Sequence, residues 1–118
     1  MSDLHDKEVA EMFCKKDKSG YRQIFEGVMM KPLVHGERTL LIETNLKKGS
    51  APKRHSHPHE QTGYLVSGRL RMVIEDESFE VEPGDSWCIP GGIEHSAEVL
   101  EDSVVAEVFS PVREEYLS

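Results

Sequence analysis

The sequence has few cysteines, no long apolar run and no cluster of positive charge. Its two cysteines, Cys14 and Cys88, are too few for a disulfide framework and do not form a metal-binding pair. We expect two reduced thiols, with Cys88 packed as a small apolar residue. No apolar run approaches the roughly 20 residues that span a bilayer. Because the opening MSDLHDKEVAEMF is too charged for a secretory signal, the expected location is the cytoplasm, without a membrane partner.

Positive charge is scarce and also scattered along the chain. Lys and Arg number 14 against 22 Asp and Glu, which gives a formal net charge of −8. Nucleic-acid binding depends on a clustered basic surface, so we expect no nucleic-acid partner. If the ligand is an anion, a few local cations and a metal must capture it against the overall negative charge.

Long helical patterns and internal repeats are missing as well. From Tyr21 onward, short β-type runs alternate with turns rich in Gly and Pro. Eight or so such strands predict an all-β sandwich or closed barrel. A chain of 118 residues suits a single domain, which we expect to span residues 21–118. Residues 1–20 are expected to be a frayed arm with one short helix; the alternative is an arm that docks on a partner subunit.

The expected strands include one hairpin and one strand that is apolar on both faces. Residues 61–66 are predicted to pair with 69–74 through a turn at Ser67 and Gly68. The run SVVAEVF near the end is apolar apart from Glu107, which predicts cover on both sides, one by the barrel interior and one by the partner in a homodimer. The other expected strands are 28–34, split by Pro32, then 39–46, 79–81, 85–89 and 95–100.

The run HSHPHEQ, residues 55–61, is the strongest chemical signal in the chain. Side chains at i and i+2 of a strand share a face, so His55 and His57 can bind one ion together. Pro58 interrupts that alternation, which places His59 outside the ligand set. Gln61 would then open the returning strand and face the same interior.

A fourth ligand, His95, follows the Pro-Gly-Gly of residues 90–92. Three imidazoles with one oxygen donor form a common catalytic set, so His55, His57, Gln61 and His95 predict a site for one divalent transition metal such as Zn, Ni, Mn or Fe. Because all four ligands are neutral, the ion would keep its double positive charge and suit an anionic substrate.

Two separately spaced motifs resemble those of the cupin superfamily. The first is carried by Gly49, His55, His57, Gln61 and Gly68, with Gln where Glu is usual. The second is carried by Gly84, Pro90, Gly92 and His95, with Val99 where Asn is common. This resemblance implies a double-stranded β-helix (jelly-roll) barrel.

The strings HSHPHEQTGYLVSGRL and VFSPVREEYL look like the pectin-degradation (KdgF-like) group of cupins. Members of that group open 4,5-unsaturated uronate monomers to linear keto sugars, with an Asp, a Phe and an Arg beside the metal. Phe109 and Arg113 match, and Glu107 stands in place of the Asp. The resemblance implies that Glu107 transfers protons, that Arg113 anchors the carboxylate of a small anionic sugar, and that Phe109 packs on the sugar face.

Other interpretations of these residues remain open. A three-histidine site with a redox metal suits a cupin dioxygenase that acts on a small organic substrate, and the barrel could also bind a metabolite without turnover. Glu107 could be a solvated rim carboxylate, but its apolar neighbours favour burial and a perturbed pKa. Arg113 could be a surface cation, and Trp87 and Tyr64 are expected to serve packing.

Overall fold

Seven strands form one antiparallel sheet in the computed structural model, which describes residues 8–117. The strands are β1 (Arg22–Phe25), β2 (Val28–His35), β3 (Leu40–Leu46), β4 (Glu60–Ile74), β5 (Glu77–Val81), β6 (Ser86–Ile89) and β7 (His95–Ser110). They lie in the order β1-β2-β3-β7-β4-β5, and β6 pairs with β4. The predicted all-β barrel is confirmed.

The predicted hairpin at Ser67 and Gly68 is wrong, because β4 runs through this point as one strand. Its pairing with β7 shifts register between Leu65 and Leu70. Gly68 lies at the shift with φ of +100°, and a Cβ there would collide with the backbone of Asp102 and Ser103. A glycine in this conformation is typical of a bulge, which bends a strand without ending it.

The last two predicted strands are likewise one long strand, and β1 was not predicted. The described residues 8–117 therefore form seven strands, where eight or so were expected. Along β7 the inward side chains of Ser103, Val105 and Phe109 are buried. Val104 and Val108, which point the other way, are only half-buried in the single chain. The cover expected on this outer face is therefore incomplete here, and the homodimer stays a prediction.

Pro32 does not split β2, contrary to expectation. The strand is continuous from Val28 to His35, and its register against β3 shifts only between Pro32 and Val34. A proline lacks the N–H that a ladder needs, and a local irregularity accommodates it.

Two groups of buried side chains fill the interior. The larger group includes Leu65, Leu70, Ile89 and Val99, with the remaining members drawn from β2, β3, β4, β5 and β7. The smaller group consists of Met30, Leu40, Ile42 and Phe109. Complete burial of one such side chain contributes about 1.5–3 kcal/mol, so these groups supply the main driving force for the barrel.

The loop between β6 and β7 packs against the histidine-rich segment. Gly92 has φ of +85°, and its N–H donates to the carbonyl of His57 at 2.8 Å. A Cβ on Gly91 would collide with the carbonyl of Pro58. The two glycines therefore allow this turn to approach residues 57–58 closely.

The described part of the N-terminal segment, residues 8–20, lies outside the sheet. Among its described residues, Val9–Met12 form a 3₁₀ helix with no buried side chain, while residues 1–7 of the predicted arm lie outside the described residues. The Lys31 ammonium donates to the Asp17 carbonyl at 2.6 Å and so fastens the segment to β2. β1 begins at Arg22, and the division into arm (1–20) and barrel (21–118) stays a prediction.

The expected packing of Cys88 is wrong. Both thiols are free, and both cysteines are exposed. Cys88 points outward from β6, where its thiol donates to Glu60 at 3.4 Å. That hydrogen bond, more than burial, raises the pKa of the Cys88 thiol. No helix within residues 8–117 is both long and apolar enough to cross a membrane.

Candidate metal centre and active site

Three histidines from two segments of the chain come together. His95 begins β7, and His55 forms an isolated antiparallel bridge with it through backbone hydrogen bonds of 3.0 and 2.9 Å. His57 lies in the loop that follows, outside any strand. One ring nitrogen from each histidine lies within 4.8 Å of the others. The expectation that His55 and His57 share a regular strand is therefore wrong, although both belong to the cluster.

Each ring is oriented by a backbone carbonyl two residues away. The contacts run from Nδ1 to oxygen and join His55 to Lys53 (2.7 Å), His57 to His59 (3.0 Å) and His95 to Ile93 (2.9 Å). A carbonyl only accepts, so Nδ1 carries the proton of the neutral imidazole and Nε2 keeps its lone pair. This is the arrangement found in histidines that bind metals through Nε2.

The Nε2 atoms of His57 and His95 lack the donors that a buried acceptor requires. His95 Nε2 is buried and has no hydrogen-bond partner among residues 8–117. His57 Nε2 lies 2.9 Å from Gln61 Oε1, but with the proton on Nδ1 both of these atoms are acceptors. Burial lowers the pKa of both His57 and His95, which disfavours a second ring proton. A cation between the lone pairs would satisfy them, so the donor set fits a metal ion.

The orientation of Gln61 is fixed from its other end. Its side-chain nitrogen donates to Glu107 Oε2 at 2.5 Å, which turns Oε1 towards His57. Gln61 is buried and is the second residue of β4, paired with Ile89 on one side and Phe109 on the other. The expected strand position and inward direction of Gln61 are therefore present.

Glu107 is a half-buried residue of the neighbouring strand β7, and its side chain lines the cavity. Its Oε2 also accepts a hydrogen bond from the indole nitrogen of Trp87 at 3.3 Å. Burial raises the pKa of the Glu107 carboxyl, while the hydrogen bonds from Gln61 and Trp87 and the charge of Arg113 act in the opposite direction. The interpretation of Glu107 as a solvated rim carboxylate is therefore wrong.

Arg113 lies against two aromatic rings. Its guanidinium carbon is 5.2 Å from the ring centre of Phe109 and 4.3 Å from that of Tyr116. Its Nε donates to Glu115 at 3.1 Å, and the side chain is only 12% exposed. Arg22 donates to the carbonyl of Glu115 at 2.7 Å, which ties this C-terminal 3₁₀ helix (Glu114–Tyr116) to β1. Arg113 is not a free surface cation.

These side chains share one cavity of about 100 Å³. Its polar lining includes His55, His95, Gln61, Glu107 and Arg113, with Trp87, Phe109 and Tyr116 as aromatic neighbours. The rest of the wall is mainly apolar and includes Ile24, Ile42, Leu70 and Ile89. A small ligand in this cavity would meet the histidines, a carboxylate and a guanidinium together.

Three other residues considered in the sequence, Phe109, His59 and Tyr64, differ in their position relative to this cavity. Phe109 is only 2% exposed and packs its ring edge-on against His57, with 5.6 Å between ring centres. His59 stays outside the three-histidine cluster, as predicted. Tyr64 is half exposed, and its packing role stays a prediction.

Two contributors to the cavity were missed from the sequence. Trp87 was expected only to pack, but its indole also donates to Glu107. Tyr116 was not singled out, although it follows the VFSPVR segment by three residues and packs on Arg113. An aromatic residue so close to a candidate anion-binding arginine is the signal that could have found it.

An antiparallel barrel whose interior presents three histidines positioned for a metal defines a small metal-binding cupin. The comparison with protein families agrees, because residues 42–111 match the cupin domain model. The chain therefore belongs to the cupin family, and within it resembles the KdgF proteins.

The relatives support that narrower likeness. The pectin degradation protein KdgF of Dickeya dadantii (strain 3937) is 26% identical over 103 residues, which cover 86% of this chain and 94% of that protein. The structure of KdgF from Halomonas sp. aligns with a TM-score of 0.82 and 30% identity, covering 87% of this chain and 97% of the other. Oxalate decarboxylase OxdC of Bacillus subtilis (strain 168) is 32% identical over 91 residues, but the match covers only 23% of that protein.

Proposed function

We propose that this cupin opens 4,5-unsaturated uronate monomers to linear keto sugars. The observation that carries the proposal is the position of Glu107, whose carboxylate is hydrogen-bonded to Gln61 beside the histidine cluster and lines the same cavity as Arg113. The likeness to two KdgF proteins, one of them named for pectin degradation, supports the same substrate class.

His55, His57 and His95, with the carbonyl oxygen of Gln61, would hold one divalent transition metal ion such as Zn, Ni, Mn or Fe. When bound, this ion supplies Lewis-acid stabilisation of negative charge on a substrate oxygen. The neutral donors leave the charge of the ion uncompensated, which suits an anionic ligand.

Arg113 would bind the carboxylate of the sugar. Its Nε is engaged by Glu115, while the rings of Phe109 and Tyr116 limit the movement of the guanidinium. A guanidinium can contact both oxygens of a carboxylate through its remaining N–H groups. The same contact would help the anion enter a protein whose net charge is −8. Phe109 would pack on the sugar face, as the family resemblance implies.

Glu107 would carry the proton through the reaction. It removes the proton of the anomeric hydroxyl as the bond from carbon 1 to the ring oxygen breaks, which leaves an aldehyde and an enolate. Delivery of a proton to carbon 4 then converts the enolate to the ketone, so the net change is an isomerisation. A carboxyl whose pKa is raised by burial can hold the proton between the two steps.

The test is a direct assay of the purified, metal-loaded protein with a freshly prepared unsaturated uronate. Loss of the enol-ether absorbance is followed against buffer, because the sugar also opens slowly without an enzyme. We expect acceleration by the wild type and by Glu98→Gln, a variant of an exposed carboxylate paired with Arg71. No acceleration over buffer by fully metal-loaded protein would refute the proposal.

The alternatives have their own outcomes in the same preparation. Oxygen uptake with a small aromatic substrate, seen only with a redox metal, would favour a dioxygenase. A rise in melting temperature with a ligand that is recovered unchanged would favour a binding protein without turnover. The predicted homodimer is tested separately by size-exclusion chromatography with light scattering, which measures the molar mass of the protein in solution.

A further inference from the structure

We propose that Trp87 is a positioning residue for Glu107. Its indole N–H binds one oxygen of the carboxylate and leaves the other oxygen for the ligand. This inference rests on the proposed function, because it concerns the orientation of the Glu107 carboxylate that would transfer the proton. The first of its tests does not require turnover.

The hydrogen bonds of the Glu107 carboxylate fall on one atom. Within residues 8–117, both donors bind Oε2: the amide nitrogen of Gln61 on β4 and the indole nitrogen of Trp87 on β6. Oε1 receives neither of these bonds and belongs to a side chain that lines the cavity. The two donors therefore distinguish the two oxygens and assign the proton transfer to Oε1.

Gly63 makes the contact with Trp87 possible. In the sheet, Gly63 lies between Trp87 of β6 and Glu107 of β7 as the β4 partner of both. A Cβ at Gly63 would overlap the indole ring itself. The missing side chain therefore creates the space in which the indole reaches across β4 to the carboxylate.

A glutamate needs such restraint more than most groups. Its flexible side chain loses rotamer freedom when it is ordered, and misplacement of a reacting group by about 1 Å lowers rates strongly. One donor defines a distance, whereas two donors from different directions also define the rotation of the carboxylate. Gln61 alone would leave that rotation free.

The first experiment uses the single tryptophan of the chain as its own probe. With one indole, the ¹H–¹⁵N spectrum of the metal-loaded protein contains one indole N–H signal. A hydrogen bond to a carboxylate shifts that proton downfield. We expect Glu107→Gln to move the signal upfield and Glu107→Leu, which removes every acceptor, to move it further. Glu98→Gln should leave it in place; an unmoved signal in both Glu107 variants overturns the proposal.

The second experiment removes the donor but keeps a ring. Because a hydrogen bond to a charged group is worth about 1.5–3 kcal/mol, Trp87→Phe should lower kcat by about tenfold or more, with KM changed by less than about twofold. A kcat equal to that of the wild type contradicts the positioning role. Absence of turnover in the wild type itself would instead refute the proposed reaction, and the indole signal would still decide the role of Trp87.

Gly63 offers an independent variant. In Gly63→Ala the methyl group displaces the indole, so the indole N–H signal should move upfield as it does in Glu107→Gln. The signal is measured in protein whose melting curve is still cooperative. A signal at the wild-type position would mean that the indole does not depend on the space above Gly63, which contradicts the proposed geometry.

Discussion

Each histidine ring in the cavity is oriented by a carbonyl two residues away, whereas the Glu107 carboxylate is held by side chains 46 and 20 residues away. We call the first group, His55, His57 and His95, the histidine wall; of these, His55 and His95 line the cavity. The second group, Glu107 with Trp87 and Gly63, forms the carboxylate wall. Ring orientation in the histidine wall depends on local backbone, while the carboxylate wall depends on the register of β6, β4 and β7.

The difference separates the proposed binding of the metal from the proposed chemistry. Short-range contacts can orient three rings wherever the two segments that carry them meet. The carboxylate wall requires three neighbouring strands to be aligned residue by residue. Gln61 connects the two, because its oxygen faces His57 and its nitrogen binds Glu107. Changes confined to one wall should therefore leave most of the other intact.

The largest effect is expected from a break in the histidine wall. His95→Ala removes one imidazole donor and should weaken metal binding by more than about 100-fold, beyond the loss seen when only a supporting group is removed. At a metal concentration 100 times the wild-type Kd, the wild type gains about 2.7 kcal/mol in the free energy of unfolding and the variant about 0.4 kcal/mol or less. Calorimetric titration measures the Kd of the metal, and thermal unfolding measures the stabilisation that the metal gives.

The matched control for this variant is His59→Ala. His59 is in the same segment but outside the cluster, so its removal should leave metal binding close to the wild-type level. Equal losses in the two variants would mean that the histidine wall is wrongly assigned.

A change in the carboxylate wall should lower catalytic activity and leave the metal content unchanged. Glu107→Gln keeps an acceptor for Gln61 and Trp87 but cannot take a proton. Loss of a general acid–base group lowers kcat by about 10²–10⁴-fold, which we expect here with one metal ion still bound per chain. Activity and metal content are measured on the same sample. Loss of the metal in Glu107→Gln would show that the two walls are not separable.

A smaller effect is expected at the aromatic support of Arg113. Tyr116→Ala removes a cation–π contact worth about 0.5–1 kcal/mol, so KM should rise about twofold to fivefold while kcat changes little. Tyr116→Phe keeps the ring and should behave as the wild type. A rise in KM in the Phe variant as well would assign the effect to the hydroxyl and not to the ring.

Much of the barrel was predictable because strand and turn signals are local. Residues 39–46 and 85–89 correspond closely to β3 and β6. The failure at Ser67 and Gly68 has a physical reason: a glycine with positive φ serves a hairpin turn and a bulge equally well, and only the neighbouring strand distinguishes them. In β4 that neighbour is β7, which continues past the bulge on the same side.

The sequence by itself determined the barrel class and three of the metal-binding candidates, because spacing along a chain controls which side chains share a local segment. Only the tertiary structure decided that His55 lies outside a regular strand, that Cys88 faces outward, and that Trp87 reaches Glu107. These depend on strand register and on free space above a glycine. No local sequence pattern predicts the register or this free space, since both depend on residues far apart in the chain.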